Sequence, residues 1–222
     1  MRIAIDGPAG AGKSTVSKIL AKRLGYTYLD TGAMYRAVTV LALENGVALD
    51  DEEVITNLLK NSTLEIIPES NGQKIFLNGR DVTELIRTPR VSELVAKVSV
   101  LPKVRQYLTK LQQEIVAKGN VIADGRDIGT VVMPDAEVKI FLTASPAERA
   151  RRRYQELSEK GFMVNYEEIL QDVKERDEMD QTRQISPLRQ APDAILVDTT
   201  GLKIEEVVEK LLEIVRRKKN VL

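Results

Sequence analysis

The sequence of 222 residues contains no cysteine and no histidine. The missing cysteines exclude disulfides and thiol chemistry, and the missing histidines remove the most common general base and metal ligand. No run of about 18 uncharged apolar residues occurs, so the sequence predicts no membrane-spanning helix. The first residues lead directly into a motif without an apolar signal region. We therefore expect a cytoplasmic protein that does not contact membranes.

A net charge is also missing. Lys plus Arg number 33 and Asp plus Glu number 33, which gives a formal net charge of +0 at pH 7. Because there is no global positive field, any anion site has to arise from local clustering of basic residues, and we expect no nucleic-acid partner. The hydrophobic share of 43% and the charged share of 30% are typical of a globular chain. We further expect the protein to be a monomer.

What the sequence does contain is an alternation of short β-branched runs with longer helical patterns. This alternation favours an α/β fold in which a parallel β-sheet is flanked by helices on both faces. Four of the five strand candidates end in aspartate. Because ligands bind at the carboxyl ends of parallel strands, we expect these aspartates to gather around one crevice. The candidates are residues 2–6, 27–30, 120–124, 138–144 and 194–198.

One segment interrupts the alternation. Residues 62–84 contain two strand-like runs around Asn71 and Gly72, a pair that suits the tight turn of a β-hairpin. Two helices are predicted within 89–118, with a break near the Leu-Pro pair at 101–102. We therefore predict one domain, 1–222, with a core of 1–61 and 100–222 and a small β-containing insert of 62–99.

Residues 145–161 carry a clear helix signal, because Ser145 can cap the start and Gly161 can end the helix. Three basic side chains at positions i, i+3 and i+4 form one face of this helix: Arg149, Arg152 and Arg153. Three arginines so close together need an explanation. One is an exposed helix face that is balanced by neighbouring glutamates.

The most specific motif lies between the first strand and the first helix. The pattern G-x-x-x-x-G-K-[ST] matches at residues 7–14. Its glycines let backbone N–H groups surround phosphate oxygens, while Lys13 reaches the outer phosphates of a nucleoside triphosphate. Ser14 is the predicted Mg²⁺ ligand. The predicted cofactor-binding residues are Gly7, Pro8, Ala9, Gly10, Ala11, Gly12, Lys13, Ser14 and Thr15.

Three further segments carry charged or hydrogen-bonding side chains that could contribute to a second anion site. LDTGAMYRA (29–37) offers a hydroxyl, helix N-terminal amides and an arginine, which can converge on a phosphate. IADGRDIGT (122–130) adds an arginine and Asp124, which could assist the magnesium shell, and KERDEMDQTR (174–183) adds a mixed row of charges. Taken singly, each segment is also compatible with a helix cap, a turn or a salt-bridged surface.

Together, six motifs resemble those of the bacterial cytidylate kinase family of nucleoside monophosphate kinases. They are IDGPAGAGKST, LDTGAMYRA, IADGRDIGTVV.PDA, KIFL.AS..ERA.RR, EKGF.VN and ERD..D..R, and they span nearly the whole chain. The resemblance implies a P-loop core with a monophosphate-binding insert and an arginine-rich lid. To this helical lid we assign residues 149–165, with the basic face of 149–153, and we expect it to close over both nucleotides. It also implies transfer of the γ-phosphoryl group of ATP to CMP or dCMP in pyrimidine metabolism.

The resemblance also assigns roles to the residues that match the motifs. It implies that the acceptor phosphate is held by Thr31, Arg36, Arg126 and Arg183. It implies that the sugar is contacted or bordered by Tyr35, Arg176 and Asp180, and that cytosine is read by Arg105 and Asp127. One departure concerns the base, because this chain has Ala96 where some relatives offer a serine hydroxyl.

A phosphate acceptor suits a chain without histidine. Its second pKa is about 6, so it is largely dianionic at neutral pH and needs no base to remove a proton. The task is to hold the reacting oxygens in line and to neutralise charge with Mg²⁺, lysine and arginines. The predicted catalytic residues are Lys13, Arg126, Arg152 and Arg153.

Two other interpretations remain open at the level of the sequence. The chain could be a P-loop switch that binds a nucleotide and signals to a partner through the insert. It could also be a kinase for another small acceptor, such as UMP, AMP or a metabolite hydroxyl. A hydroxyl acceptor would require a base, for which Asp127 and Asp30 are the candidates.

Overall fold

A computed structural model describes residues 1–69 and 72–219. Along this part of the chain the strands and helices are β1 (Arg2–Asp6), α1 (Lys13–Leu24), β2 (Thr27–Asp30), α2 (Thr31–Glu44), α3 (Glu52–Lys60), β3 (Leu64–Glu69), β4 (Gly72–Leu77), β5 (Arg80–Asp81), α4 (Pro89–Ser99), α5 (Pro102–Val116), β6 (Val121–Gly125), β7 (Val138–Thr143), α6 (Pro146–Glu159), α7 (Tyr166–Thr182), β8 (Ile195–Asp198) and α8 (Ile204–Lys219). A short 3₁₀ turn covers Leu85–Arg87, and one π-helical stretch covers Ile128–Val132. None of the helices in these ranges is both long and apolar enough to cross a bilayer.

The main sheet has five parallel strands in the order β2-β6-β1-β7-β8. Ile3 of β1 is paired with Ile122 on one side and with Val138 on the other, so β1 lies at the centre. The predicted α/β fold is confirmed, and each predicted strand lies within one residue of its observed bounds. Because all five strands are parallel, their carboxyl ends share one edge, which is where the functional residues lie.

Side chains of the central strand alternate between two hydrophobic cores. Ile3 and Ile5 pack with Leu20 of α1 and Leu211 of α8, whereas Ala4 points to the opposite core with residues of α2. This alternation follows from the two-residue repeat of a β-strand. Both faces of the sheet are therefore covered by helices, as a parallel sheet requires.

The predicted insert contains a three-stranded antiparallel sheet in the order β3-β4-β5. Glu69 is paired with Gly72, so the hairpin is present, but Asn71 of the predicted turn lies outside the described residues. Ile75 and Leu77 of β4 pack in the same hydrophobic core as Met34 of α2. The insert therefore shares its core with the main sheet and its helices.

The loop between β1 and α1 depends on glycine at its first position. Gly7 has a φ of 149°, and a Cβ atom there would lie 1.9 Å from the backbone oxygen of Leu142 in β7. Any side chain would clash with backbone that the sheet holds in place. The loop then reaches Gly12, with a φ of 88°, from which α1 begins. The chain is thus forced to turn sharply beside β7 before it enters the helix.

The predicted lid region, 149–165, contains most of α6, which packs against α7. The Ser145 hydroxyl accepts a hydrogen bond from the Glu148 amide at 3.2 Å, which confirms the predicted cap of α6. Asn165 caps α7 in the same manner. The rings of Tyr154 in α6 and Tyr166 in α7 meet edge to face with centroids 6.3 Å apart. This contact joins the second half of α6 to the start of α7.

Candidate active site

A cavity of about 900 Å³ lies at the carboxyl edge of the main sheet. The loop between β1 and α1 lines one part of it, and the ends of β2 and β6 line another. Residues of α2, α4, α5, α6 and α7, together with the start of α8 and the segment before it, complete its walls. The carboxyl ends of β1, β2 and β6 meet at this cavity because the three strands are adjacent and parallel in the sheet.

Lys13 lies in the first turn of α1 and is 6% exposed. Its ammonium group donates a hydrogen bond to the Pro8 backbone oxygen at 2.7 Å, so the side chain curls back over the loop. Burial and the nearby Arg126 guanidinium lower the pKa of Lys13 to about 7, against the opposing effect of Asp124. A polyphosphate bound in this loop would place negative charge beside the Lys13 ammonium group.

Ser14 and Asp124 form an oxygen-rich pair beside Lys13. The Ser14 hydroxyl donates to one carboxylate oxygen of Asp124 at 2.7 Å, and the Tyr28 hydroxyl donates to the other at 2.9 Å. Burial, with a contribution from Asp30, raises the pKa of Asp124 to about 6. Mg²⁺ prefers oxygen ligands and keeps several waters or phosphate oxygens, so a hydroxyl next to one carboxylate fits it. Within the described ranges there is no cluster of three acidic side chains that would hold a metal without phosphate.

The start of α2 faces the same cavity. Asp30 caps this helix by accepting a hydrogen bond from the Ala33 amide at 2.9 Å, and the Thr31 hydroxyl donates to the Asp124 backbone oxygen at 2.8 Å. Arg36 follows about one turn later, where burial lowers its pKa despite the nearby carboxylate of Asp30. The predicted hydroxyl, helix amides and arginine are therefore neighbours in the structure.

Asp30 also connects the insert to this part of the cavity. The side-chain amide of Gln73 accepts a hydrogen bond from the Asp30 backbone N–H at 2.9 Å and donates to its backbone oxygen at 3.2 Å. Arg87 donates to the Asp30 carboxylate at 2.7 Å. Burial would raise the pKa of Asp30, but Arg87 and Arg36 outweigh it and hold that pKa below its usual range. Neither Gln73 nor Arg87 was predicted from the sequence.

Asp180 of α7 lies among three arginines. Arg126 donates to its carboxylate at 2.7 Å, while Arg183 lies at 3.3 Å and Arg176 at 3.6 Å. Burial would raise the pKa of Asp180, but Arg126 and Arg176 outweigh it and lower the pKa to about 2. Three guanidinium groups share one carboxylate, so this cluster retains positive charge and can accept an anion.

Arg105 of α5 pairs with Asp127 in the wall of the cavity. The guanidinium donates to the Asp127 carboxylate at 2.6 Å and to the Ser99 backbone oxygen at 2.9 Å. It also lies over the ring of Tyr35, 5.3 Å from the centroid. Asp127 is thereby held in a defined orientation. The structure brings together the two residues to which the resemblance assigned base recognition.

Five buried polar atoms around the cavity have no hydrogen-bond partner. Within the described part of the chain, eight buried side-chain nitrogen and oxygen atoms lack a partner, and these five belong to cavity-lining residues. Buried polar groups are normally paired, because leaving one unpaired costs roughly 1–3 kcal/mol. Their concentration here indicates that a polar ligand completes the site. The atoms are Tyr35 Oη, Arg36 Nε, Arg105 Nε, Arg176 Nε and Arg183 Nη2.

The arginines of α6 do not form a single face toward the cavity. Arg152 and Arg153 line it, with Arg152 bound to Glu148 at 2.9 Å and Arg153 bound to Glu156 at 3.0 Å. Arg149 instead is buried against α7 and pairs with Asp177. The expectation that Arg149 shares the basic face of the lid with Arg152 and Arg153 is therefore wrong, because α7 covers the first turn of α6.

The aspartates at the strand ends serve different purposes. Asp30 and Asp124 line the cavity, as expected. Asp198 does not line it and accepts hydrogen bonds from Thr200 instead. The expectation that all of them gather around one crevice is therefore only partly right.

Asp6 has a role that the motif alone did not reveal. Its carboxylate accepts hydrogen bonds from the backbone amides of Ile128 and Gly129, both at 2.7 Å. It therefore fixes the loop that carries Arg126 and Asp127. Burial raises the pKa of Asp6 to about 6, although these two backbone bonds oppose the shift. The aspartates at the strand ends were the only sequence signal that pointed to it.

Ser99 is another cavity-lining residue that the sequence did not indicate. Its hydroxyl donates to the backbone oxygen of Ala96 at 3.0 Å, one helical turn earlier in α4. Ala96 itself is buried and does not line the cavity. A hydroxyl is therefore present at the Arg105 side of the cavity, three residues after Ala96.

Comparison with known proteins gives a consistent result. A family model described as cytidylate kinase matches residues 3–217. A cytidylate kinase of Carboxydothermus hydrogenoformans is 73% identical over 222 residues, which is 100% of both chains. A cytidylate kinase of Bacillus subtilis (strain 168) is 54% identical over 218 residues, which covers 98% of this chain and 97% of that relative.

A solved structure supports the fold. A gluconokinase from Sinorhizobium meliloti 1021 superimposes with a TM-score of 0.50 at 15% identity, over 99% of this chain and 94% of that chain. At this identity the likeness concerns the architecture and not the substrate. The sequence match, in contrast, extends far beyond the phosphate-binding loop, and it follows that this chain belongs to the cytidylate kinase family.

Proposed function

We propose that the protein transfers the γ-phosphoryl group of ATP to the phosphate of CMP or dCMP and releases ADP with CDP or dCDP. The observation that carries the proposal is the arginine cluster around Asp180, in which Arg176 Nε and Arg183 Nη2 are buried without a hydrogen-bond partner. One cavity thus joins a triphosphate site to a second anion site. A cavity of about 900 Å³ is at the upper end of the usual range for ligand pockets, as two nucleotides would require.

The donor triphosphate would bind the loop of residues 7–15. The backbone amides of this loop and the N-terminus of α1 would surround its phosphates, with Lys13 against the outer ones. Ser14 and Asp124 would hold Mg²⁺ at the triphosphate. When bound, Mg²⁺ supplies positive charge to the phosphate oxygens. All other steps depend on how the protein's own side chains bind and orient the two nucleotides.

The acceptor phosphate would bind between the start of α2 and the arginine cluster of α7. Thr31 and the amides at the start of α2 lie on one side of this space, and Arg36, Arg126 and Arg183 supply the positive charge. The sugar would lie near Tyr35, Arg176 and Asp180. Arg36 Nε and Arg183 Nη2 are already buried without a hydrogen-bond partner. A phosphate that accepts hydrogen bonds from them would replace the water contacts that they lost on burial.

Cytosine would be read by the Arg105–Asp127 pair. The exocyclic amino group of cytosine donates hydrogen bonds, whereas uracil carries an oxygen acceptor at the same position. The carboxylate of Asp127 would accept from cytosine and face an oxygen in uracil. Ser99 lies beside this pair and adds a hydroxyl to the same wall.

Phosphoryl transfer would then require positioning and charge neutralisation but no general base. The acceptor phosphate is already largely dianionic at neutral pH, since its second pKa is about 6. Lys13, Arg126, Arg152 and Arg153 would stabilise charge on the transferred group. Closure of the insert, residues 62–99, and of the lid, residues 149–165, would exclude water from the two nucleotides.

A hydroxyl acceptor is less compatible with the site. Asp30 caps α2 and is paired with Arg87, and Asp127 is paired with Arg105. The guanidinium groups of Arg87 and Arg36 hold the pKa of Asp30 below its usual range, which makes this carboxylate a poor acceptor for a proton. The two candidate bases therefore have structural partners already.

The proposal is tested by measuring ADP release with a coupled assay. We expect turnover with CMP and dCMP, much slower turnover with UMP and AMP, and little without any monophosphate. ATP turnover that does not depend on an added monophosphate would contradict the proposal and favour a P-loop switch. Since one chain supplies both sites, the expected monomer needs no second copy, and light scattering of the purified protein measures this directly. A cytoplasmic location stays an expectation.

A further inference from the structure

Arg149 uses nearly all of its hydrogen-bonding capacity away from the cavity. It is 2% exposed, and its Nε donates to the Ala144 backbone oxygen at 2.9 Å. Its two terminal nitrogens donate to the two carboxylate oxygens of Asp177 at 2.9 and 2.5 Å. One of them also donates to the Ala9 backbone oxygen at 3.1 Å. The side chain thus connects α6, α7 and the phosphate-binding loop.

The contact with the phosphate-binding loop is close. A Cβ atom at Gly10 would lie 3.1 Å from the Cβ atom of Arg149, so the loop and α6 touch where Gly10 has no side chain. Gly10 has a φ of 76°, which favours glycine independently of this contact. Arg149 therefore supports the back of the loop whose other side faces the cavity.

The contact with α7 is equally direct. Asp177 follows Arg176 in the chain and precedes Asp180 by about one helical turn, and these two neighbours line the cavity. α7 thus presents its acceptor-site residues on one face and Asp177 on an adjacent face. A bidentate guanidinium–carboxylate pair is more restrictive in geometry than a single hydrogen bond. A shift of α7 relative to the loop would break this pair.

We propose that the Arg149–Asp177 pair sets the separation between the donor phosphates on the loop and the acceptor phosphate beside α7. This inference rests on the function proposed above. Both are positioning residues, because neither lines the cavity in which the nucleotides would bind. Transfer between two phosphates depends on in-line placement of the reacting oxygens, and a small misplacement is enough to slow it. The pair therefore acts on the transfer step more than on the binding of either nucleotide.

The variants Asp177→Asn and Arg149→Lys test this. Each keeps the approximate size of the side chain and removes the bidentate pair. We expect kcat with ATP and CMP to fall by about 10-fold or more, since loss of positioning affects the transfer step. The dissociation constants of ATP alone and CMP alone, measured by calorimetry, should change by less than about threefold. Asp135→Asn is the matched control, because it removes a carboxylate from the exposed Arg2–Asp135 pair.

Folding is controlled by circular dichroism, and kcat is corrected for the folded fraction. If Asp177→Asn does not fold, Asp177→Glu keeps the charge but displaces the carboxylate by one methylene, and kcat should fall with little loss in Tm. The proposal is overturned if kcat stays within about twofold of the parent in every folded variant, or if both dissociation constants rise as much as kcat falls. Failure of the proposed function would appear separately, as a parent protein without CMP-dependent ADP release.

Discussion

Arg105 donates a hydrogen bond to Asp127 at 2.6 Å, and only 2% of the Arg105 side chain and 7% of the Asp127 side chain are exposed. The other carboxylate oxygen of Asp127 lies 3.9 Å from Arg183. Asp127 is therefore oriented by one arginine and lies near a second. A carboxylate that is held so firmly can discriminate between a hydrogen-bond donor and an acceptor on a base.

The first prediction concerns this carboxylate. Asp127→Asn should reduce the preference for CMP over UMP, because an amide can donate to the uracil oxygen as well as accept from the cytosine amino group. We expect the ratio of the two kcat/KM values to fall by roughly 10-fold, as is typical when an unpaired polar contact is relieved. The ratio does not depend on the folded fraction of the variant. An unchanged ratio would mean that the base is read elsewhere.

A second prediction follows from the pKa of Lys13, which is lowered to about 7 by burial and by Arg126. Near pH 8 this lysine is mostly neutral in the free protein, and the negative charge of a bound triphosphate raises its pKa again. Binding of ATP near pH 8 should therefore take up about one proton, and affinity should decrease as the pH rises above about 7. Calorimetry in buffers with different ionisation enthalpies measures this uptake.

The matched variant for this experiment is Lys13→Arg. An arginine keeps the positive charge but does not titrate in this range, so the proton uptake should disappear even where ATP still binds. Asp124, whose pKa is raised to about 6, is ionised near pH 8 and adds little to the signal. Equal uptake by parent and variant would assign the proton to another group.

A third prediction concerns stability. Asp180→Asn removes the carboxylate that three arginines share, and breaking a buried ion pair costs about 3–5 kcal/mol. The variant should unfold at a lower denaturant concentration than the parent. Inorganic phosphate should restore more stability to the variant than to the parent, because it replaces the missing negative charge.

The pH dependence of this effect has a defined sign. The pKa of Asp180 is lowered from 3.8 to about 2 on folding, so its contribution is fully present above pH 3.8 and is lost as the pH falls toward 2. The difference in unfolding free energy between parent and Asp180→Asn should thus be constant near neutral pH and shrink below pH 4. A difference that grows on acidification would contradict the assigned ion pairs.

The fourth prediction separates the arginines of α6. Arg152→Ala and Arg153→Ala should each lower kcat, by up to about 100-fold for an arginine that contacts the transferred group. Arg216→Ala, on the exposed end of α8, is the control for loss of a surface charge. Unchanged kcat in both cavity-lining variants would remove these two residues from the transfer step.

Much of the fold was predictable because its signals are local. The alternation of strand and helix patterns, the Ser145 cap and the break before Pro102 each depend on a few neighbouring residues. The phosphate-binding loop was equally predictable from the sequence. Its glycines are required by positive φ angles and, at Gly7, by the close approach of the Leu142 backbone. The family motifs added roles that no local pattern contained.

The direction of individual arginines was not predictable in this way. Arg149 and Arg152 lie one turn apart in the same helix, yet the first is buried against Asp177 and the second lines the cavity. Helical periodicity places Arg149 and Arg152 on the same side of α6, but it does not say which part of that side is covered by another helix. The position of α7 decides that.

By itself, the sequence determined an α/β chain with a triphosphate loop, charged strand ends and motifs of one kinase family. Only the tertiary structure decided which charges meet: Asp6 with the amides of Ile128 and Gly129, and Arg105 with Asp127. The physical reason is that backbone conformation is set over a few residues, whereas a hydrogen bond between distant side chains exists only after the sheet and its helices have packed.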